Sequence, residues 1–254
     1  MGLHAVSGGA SGIGAAIASR LRSRGDEVLV VDVKDAEVEA DLSRREGCDA
    51  ALERLAELAP DGLDGLVACA GLGPATRPVS LITRVNFFGA QRLVDGARRL
   101  VANKKGAVVV ISSNSAPMDC DQSYIDALLA LDEERACSIA EELGDGHNAY
   151  AGSKQAITRW MRREAAAYAA DGIRMNAIAP GITRTAMTDS VYADAELGPV
   201  IKEFGETVPV GRLGQPDDIA SAACFLLSDE ASFACGSVFF IDGGHDAMLR
   251  PDEF

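Results

Sequence analysis

Short, apolar, β-branched runs recur along the chain at Leu3–Ser7, Glu27–Asp32, Gly65–Cys69, Ala107–Ser112, Ile173–Ala179 and Ser237–Asp242. Most are separated by longer segments rich in Ala, Leu, Arg and Glu. The clearest of these, Gly14–Arg24, Ala50–Leu58, Val85–Val101, Tyr150–Ala170 and Pro216–Leu227, carry the spacing of helices. Strands so continuously apolar are usually buried on both faces, as in a parallel sheet covered by helices. The pattern predicts an α/β fold, a doubly wound parallel sheet in a single domain over residues 1–254, with no internal repeat.

Two segments break this rhythm. Asn114–Ala149 is too long for a simple strand-to-helix connection and holds its own helical pattern over Asp126–Leu143. It reads as a helical insertion before the Tyr150–Ala170 helix. Leu128, Leu129, Leu131, Ile139 and Leu143 predict an apolar side for it, and the acids across Asp132–Glu142 a solvated one. Gly181–Val210 mixes Gly, Pro and apolar residues, the composition of a lid. Met187, Val191, Tyr192, Leu197, Val200, Ile201 and Phe204 are its candidate lining for an apolar pocket.

Composition narrows the function. The 254 residues are 48% hydrophobic and 24% charged, which is globular rather than disordered. Against 38 Asp+Glu stand 24 Lys+Arg, a net charge of −14 that argues against a nucleic-acid partner. No apolar run has the length to cross a bilayer, so no membrane partner is expected. The start lacks a basic flank and a secretory apolar region, and a cytoplasmic protein is expected. Six scattered cysteines without CxxC, and His4, His147 and His245 far apart, predict neither a disulfide framework nor a metal site.

Three constellations carry chemistry. Ser7-Gly8-Gly9-Ala10-Ser11-Gly12-Ile13-Gly14 follows the first strand and opens a helix. Glycines there let the backbone turn sharply and approach a pyrophosphate at the helix N-terminus. Backbone N–H groups and the helix dipole thus give an acidic protein a positive field for a diphosphate. The second strand ends in Asp32, suited to accept from the adenosine ribose hydroxyls and to repel a 2′-phosphate. No Arg follows it in Val33-Lys34-Asp35, so NAD is expected over NADP. In Tyr150-Ala151-Gly152-Ser153-Lys154, phenol and ammonium lie four apart on one helix face. A nearby cation favours phenolate, so Lys154 is expected to lower the pKa of Tyr150. Ser113, past the strand Ala107–Ser112, could orient a reacting oxygen.

With these motifs in this order, the chain resembles the short-chain dehydrogenase/reductase family over nearly its whole length. Ser7–Gly14 stands where the family has TGxxxGxG, with Gly8, Ser11, Gly12, Ile13 and Gly14 at the cofactor. Asp41-Leu42 matches the adenine-contacting segment, and Cys69-Ala70-Gly71 stands where NNAG is usual. The resemblance implies a Rossmann-type fold and a catalytic set of Asn86, Ser113, Tyr150 and Lys154, with Ser112 as the lesser alternative to Ser113. It also implies that Lys154 binds the nicotinamide ribose and that Asn86 helps hold a relay water. Pro180-Gly181-Ile182-Thr183-Arg184-Thr185 matches PGxxxT, so Pro180, Gly181, Ile182, Thr183 and Thr185 would hold the carboxamide. Asp242-Gly243-Gly244 resembles the closing strand and turn.

The expected activity is NAD(H)-dependent interconversion of a small apolar secondary or aromatic alcohol and its carbonyl compound. The long Ser113–Tyr150 separation resembles the hydroxysteroid dehydrogenase/carbonyl reductase branch, with coniferyl-alcohol-type dehydrogenases as an alternative. A non-catalytic dinucleotide sensor is the rival on the same fold, opposed by the apparently complete set. Many tetramers of the family pack the helices corresponding to Val85–Val101 and Tyr150–Ala170 across a two-fold axis. The insertion enters just before the second helix, so a homodimer is expected.

Overall fold

A computed structural model describes residues 1–193 and 197–253. Its strands are β1 (Leu3–Ser7), β2 (Glu27–Asp32), β3 (Val38–Glu39), β4 (Gly65–Ala68), β5 (Ala107–Ile111), β6 (Arg174–Pro180) and β7 (Val238–Ile241). They form one sheet in the order β3-β2-β1-β4-β5-β6-β7, and every neighbouring pair is parallel. Strand order reverses between β1 and β4, the point at which a doubly wound sheet opens a crevice at its carboxyl edge.

The apolar runs have a simple cause. Along each strand, successive side chains enter opposite layers. Ala5, Val31, Leu66, Val108 and Val110 join a core shared with the helices Arg45–Leu58 and Gly146–Ala170. Val6, Val30, Val67 and Val109 join a second core with the helices Gly12–Ser23 and Pro216–Leu227. Both faces are buried, and neither needs polar residues.

The six expected strands form, with ends shifted by about one residue. β3 was not foreseen: two residues at the sheet edge are too short to show a period. The expected Val85–Val101 helix starts earlier and is interrupted. Ser80–Thr83 leads into a π turn, Arg84–Gly89, followed by Ala90–Gly96 and Arg98–Asn103. The insertion contains two helices, Gln122–Leu129 and Glu133–Leu143, rather than one pattern over Asp126–Leu143. Leu131, with φ +59°, breaks it, and the Asp132 carboxylate caps the second helix by accepting from the Arg135 N–H. Leu128 is buried, but Leu131 and Leu143 are exposed, so the apolar side is narrower than expected.

The Tyr150 helix begins at Gly146, because Asp145 Oδ1 accepts from the N–H groups of His147 and Asn148 at 2.8 and 3.2 Å. Gly181–Val210 contains two helices, Ala186–Tyr192 and Leu197–Glu206. Of its expected lining, the side chains of Tyr192, Leu197, Val200 and Ile201 lie outside the described residues. Among the described residues, no helix is long and apolar enough to cross a membrane.

Candidate active site

The carboxyl ends of β1, β2, β4, β5 and β6 bring Gly8, Asp32, Gly71, Ser113 and Gly181 to one edge of the sheet. Local sterics explain the glycine-rich turn. Gly8 has φ +68°, and a Cβ there would lie 2.7 Å from the Ala70 Cα. A Cβ on Gly14 would lie 2.1 Å from the Gly8 carbonyl oxygen. Ser7 ties the turn to the neighbouring strand, its Oγ accepting from the Cys69 and Ala70 N–H groups at 3.0 and 3.2 Å. The result is a bare-backbone cradle from Gly8 through Ser11 at the mouth of a helix, closed on its far side by Thr185, whose Cγ2 faces Gly12. Such a cradle fits a diphosphate.

Asp32 sits at the end of β2. Its Oδ2 accepts from Ala10 N–H at 3.0 Å and its Oδ1 from Val33 N–H at 2.8 Å. Each oxygen keeps a lone pair for a ribose hydroxyl, while the carboxylate also fixes the glycine turn. Asp41 Oδ1 accepts from Ser43 N–H at 3.0 Å, and hydrogen bonding to Ser43 together with Arg44 holds its carboxyl below the ordinary value. Leu42 is buried beside it.

Tyr150 and Lys154 share one face of their helix, with the Lys154 Nζ 6.0 Å from the Tyr150 ring centroid. Lys154 is 5% exposed and donates to the Ile111 carbonyl at 2.8 Å. The ammonium has two further protons, which suit ribose hydroxyls. The expected lowering of the phenol pKa does not hold for the chain itself. Burial pushes Tyr150 up from its ordinary value; the Ser113 hydroxyl opposes this, and Cys69 adds to it. Burial also lowers Lys154 to about 8. One dry environment penalises both charged forms and favours the neutral phenol.

Ser113, rather than Ser112, faces Tyr150. Ser112 is turned into the helix packing, sharing a hydrogen bond with the Thr158 hydroxyl at 2.5 Å. Asn86, carried by the π turn, is buried and committed. Its Oδ1 accepts from Leu72 N–H at 2.7 Å, and its Nδ2 donates to the Leu72 carbonyl at 3.0 Å and Ser153 Oγ at 3.4 Å. The amide thus clamps the strand-end loop. Gly71 packs between the Asn86 amide and the Lys154 ammonium.

The β6 segment joins the same edge. Pro180 O accepts from Asn114 N–H at 2.9 Å, and Ile182 O from Gly214 N–H at 2.9 Å. Thr183 Oγ1 donates to Gly181 O at 3.0 Å, and Thr185 caps the following helix. Met187 lies against Gly73, where a Cβ would meet its Cγ at 2.9 Å. Val191 is buried, and the Phe204 ring lies against His245 with the centroids 4.0 Å apart.

Three contacts escaped the sequence reading. Ser115 is hydrogen-bonded to Ser113, a link hinted at by the Ser-x-Ser spacing after the strand. Tyr124 shares a hydrogen bond with Thr83 at 2.8 Å and donates to Ala149 O at 3.3 Å, bracing the residue before Tyr150. Gln155 Nε2 donates to Ala116 O at 2.8 Å. The last two join positions too far apart in sequence to be read as neighbours.

Fold and site together define a dinucleotide-binding oxidoreductase. A family described as short chain dehydrogenase matches residues 4–124, and one described as enoyl-(acyl carrier protein) reductase matches residues 136–246. The chain is 42% identical to the 3-alpha-hydroxysteroid dehydrogenase/carbonyl reductase of Comamonas testosteroni, with 100% of both chains covered. It is 31% identical to the 3alpha-hydroxysteroid dehydrogenase of Mediterraneibacter gnavus, with 94% of each covered. The crystal structure of the 3-alpha-hydroxysteroid dehydrogenase from Pseudomonas sp. B-0831 complexed with NADH superposes with a TM-score of 0.97. It is 38% identical, and the match covers 99% of this chain and 100% of that one. The chain belongs to the short-chain dehydrogenase/reductase family and is an oxidoreductase of alcohols and carbonyl compounds.

Proposed function

We propose that this protein interconverts an apolar secondary or aromatic alcohol and its carbonyl compound with NAD(H), as a hydroxysteroid dehydrogenase/carbonyl reductase. The observation that carries the reading is the convergence of Tyr150, Ser113 and Lys154 beside the glycine cradle. The full-length similarity to relatives named for that activity supports it. Gly8, Ser11, Gly12, Ile13 and Gly14 would hold the pyrophosphate, Asp32 the adenosine ribose, and Asp41 and Leu42 the adenine, with Ala70 and Gly71 also lining the cofactor. Lys154 would hold the nicotinamide ribose, and Pro180, Gly181, Ile182, Thr183 and Thr185 the carboxamide. Bound nicotinamide would supply the hydride chemistry. In carbonyl reduction Tyr150 donates its phenolic proton to the substrate oxygen, while Ser113 hydrogen-bonds that oxygen as charge develops on it. Asn86 keeps the Leu72 loop in place below the reacting groups. Alcohol oxidation requires the phenolate instead. Since burial raises the Tyr150 pKa, oxidation is expected to accelerate as pH rises, whereas reduction holds until the phenol ionises.

Substitution of Tyr150 by Phe tests the assignment. Turnover should fall by about 100- to 10,000-fold while NADH affinity stays close to wild type. Strong residual turnover in a folded variant refutes it. Asp32 favours NAD, with kcat/KM expected to exceed that with NADP by about 100-fold, since a like charge beside a carboxylate costs several kcal/mol. Equal efficiency with both cofactors defeats that expectation.

The Gly181–Val210 segment is read as the substrate lid, supported by the contact of Met187 with Gly73. A homodimer is supported by the insertion, which packs against the Tyr150 helix and the Arg84–Gly89 turn, next to the helices that many family tetramers pair. Glu133 from the insertion pairs with Arg92 at 2.5 Å and with Arg84 at 3.8 Å. Light scattering over a range of concentrations checks this, and a stable tetramer would contradict it. Free cysteines suit a reducing cytoplasm.

A further inference from the structure

The Ser113 hydroxyl receives two hydrogen bonds from one residue. Ser115 N–H donates to Ser113 Oγ at 3.1 Å, and the Ser115 hydroxyl donates to the same oxygen at 2.9 Å. A serine oxygen has two acceptor lone pairs and one proton. With both lone pairs occupied, the remaining direction at that oxygen belongs to its own O–H. Ser112 lacks such control, because in its bond with Thr158 either hydroxyl can donate.

The scaffold around Ser115 is held from two sides. Its carbonyl accepts from Met118 N–H at 3.0 Å, and the Ser113 carbonyl accepts from Ala116 N–H at 3.0 Å. Gln155, on the helix that carries Tyr150, donates through Nε2 to Ala116 O at 2.8 Å and Met118 O at 3.3 Å. The turn that aims Ser115 at Ser113 is thus pinned to the helix that presents the phenol.

We propose that Ser115 is a positioning residue that makes Ser113 an obligate hydrogen-bond donor toward the reacting oxygen. The proposal rests on the reading of Ser113 given under the proposed function and adds to it how the polarity of that hydroxyl is set. In reduction, a donor already aligned on the carbonyl oxygen need not reorient as negative charge develops. A hydroxyl that itself accepts hydrogen bonds is also polarised and donates more strongly. Before substrate binds, that single O–H donates to the Tyr150 oxygen instead, the hydrogen bond that opposes the raised phenol pKa and favours the phenolate used in oxidation.

The test is a double-mutant cycle with steady-state kinetics on an apolar ketone and alcohol, plus NADH binding for each variant. Ser115→Ala should lower kcat/KM about five- to tenfold in the wild-type background, the size expected for one lost hydrogen bond. In the Ser113→Ala background it should cost less than about twofold, because Ser115 acts through Ser113. NADH affinity should not change. The alkaline rise of kcat/KM for oxidation should move to higher pH in Ser115→Ala and return in Ser115→Thr. Should Ser115→Ala not fold, Ser115→Thr against the near-isosteric Ser115→Val makes the same comparison.

An equal loss from Ser115→Ala in both backgrounds, or no loss beside a crippled Ser113→Ala, overturns the proposal alone. Undiminished turnover in Ser113→Ala overturns the reading of Ser113 and the proposal with it.

Discussion

The two long connections at the carboxyl edge of the sheet are built differently. Between β5 and the Gly146–Ala170 helix, the chain is tied by buried contacts. Tyr124 and Leu128 are fully buried, and the Tyr124 hydroxyl bridges Thr83 and the Ala149 carbonyl. Three aspartates, Asp121, Asp132 and Asp145, cap the helices it contains and the helix it leads into. Between β6 and the Pro216–Leu227 helix, the described residues are tied by buried Val191 and Val208, by the Phe204 ring and the Thr207 hydroxyl on His245, and by contacts at either end. Thr183 bridges to Gly214, the Ile182 carbonyl accepts from Gly214 N–H, and Met187 rests on Gly73 while remaining 38% exposed. The first connection fixes the helix that carries Tyr150 and Lys154; the second is the segment proposed as the substrate lid. On that proposal, the helix that must hold close geometry is braced at Ala149 by a buried hydroxyl, whereas Met187 on the lid touches Gly73 and stays partly exposed.

Substitutions in the two connections should therefore have effects of different kinds. The largest is expected from Gly152→Val. A Cβ at Gly152 would lie 2.8 Å from two carbons of the Tyr124 ring, which is itself enclosed. Forcing the helix off this contact should cost about 1–3 kcal/mol in thermal or denaturant unfolding and lower turnover as well. Tyr124→Phe is milder. It keeps the ring but leaves the Thr83 hydroxyl and the Ala149 carbonyl without their shared partner, a loss of about 1–2 kcal/mol. A severalfold fall in kcat with KM for NADH unchanged is the expected kinetic signature. If Tyr124→Phe leaves both stability and kcat at wild-type values, the brace is not one.

Met187→Ala should have the smallest effect on the fold, within about 1 kcal/mol, since the side chain stays partly exposed. Its expected effect is on substrate: KM for bulky apolar alcohols should change about two- to fivefold, while that for small ones stays put. A stability loss as large as that of Tyr124→Phe would erase the distinction between the two connections.

The parallel sheet was legible because both its faces are buried, which leaves an apolar run at each of six strands. The glycine cradle and the Tyr150–Lys154 pair were legible for a local reason: the turn and the helix bring together residues at fixed short spacing. What could not be read depends on contacts between distant segments. The Asn86 amide is spent on Leu72, and the Tyr124 hydroxyl finds Thr83 and Ala149, only after the π turn and the insertion pack together. The raised pKa of Tyr150 was misjudged for a related reason. Spacing reveals that a lysine is near, but not that the enclosure penalises the charged form of each group. The break at Leu131 was hidden too, because a non-glycine residue there adopts φ +59°.

The measurement that bears most directly on the account is kcat/KM with NAD for a panel of steroid, aromatic and small aliphatic alcohols, with NADH binding measured on the same preparation. The account predicts turnover, with hydrophobic secondary or aromatic alcohols ahead of small, highly charged ones. Tight NADH binding without turnover of any alcohol or ketone in the panel would contradict it and favour a dinucleotide sensor. A marked preference for small charged substrates would contradict the apolar substrate proposed.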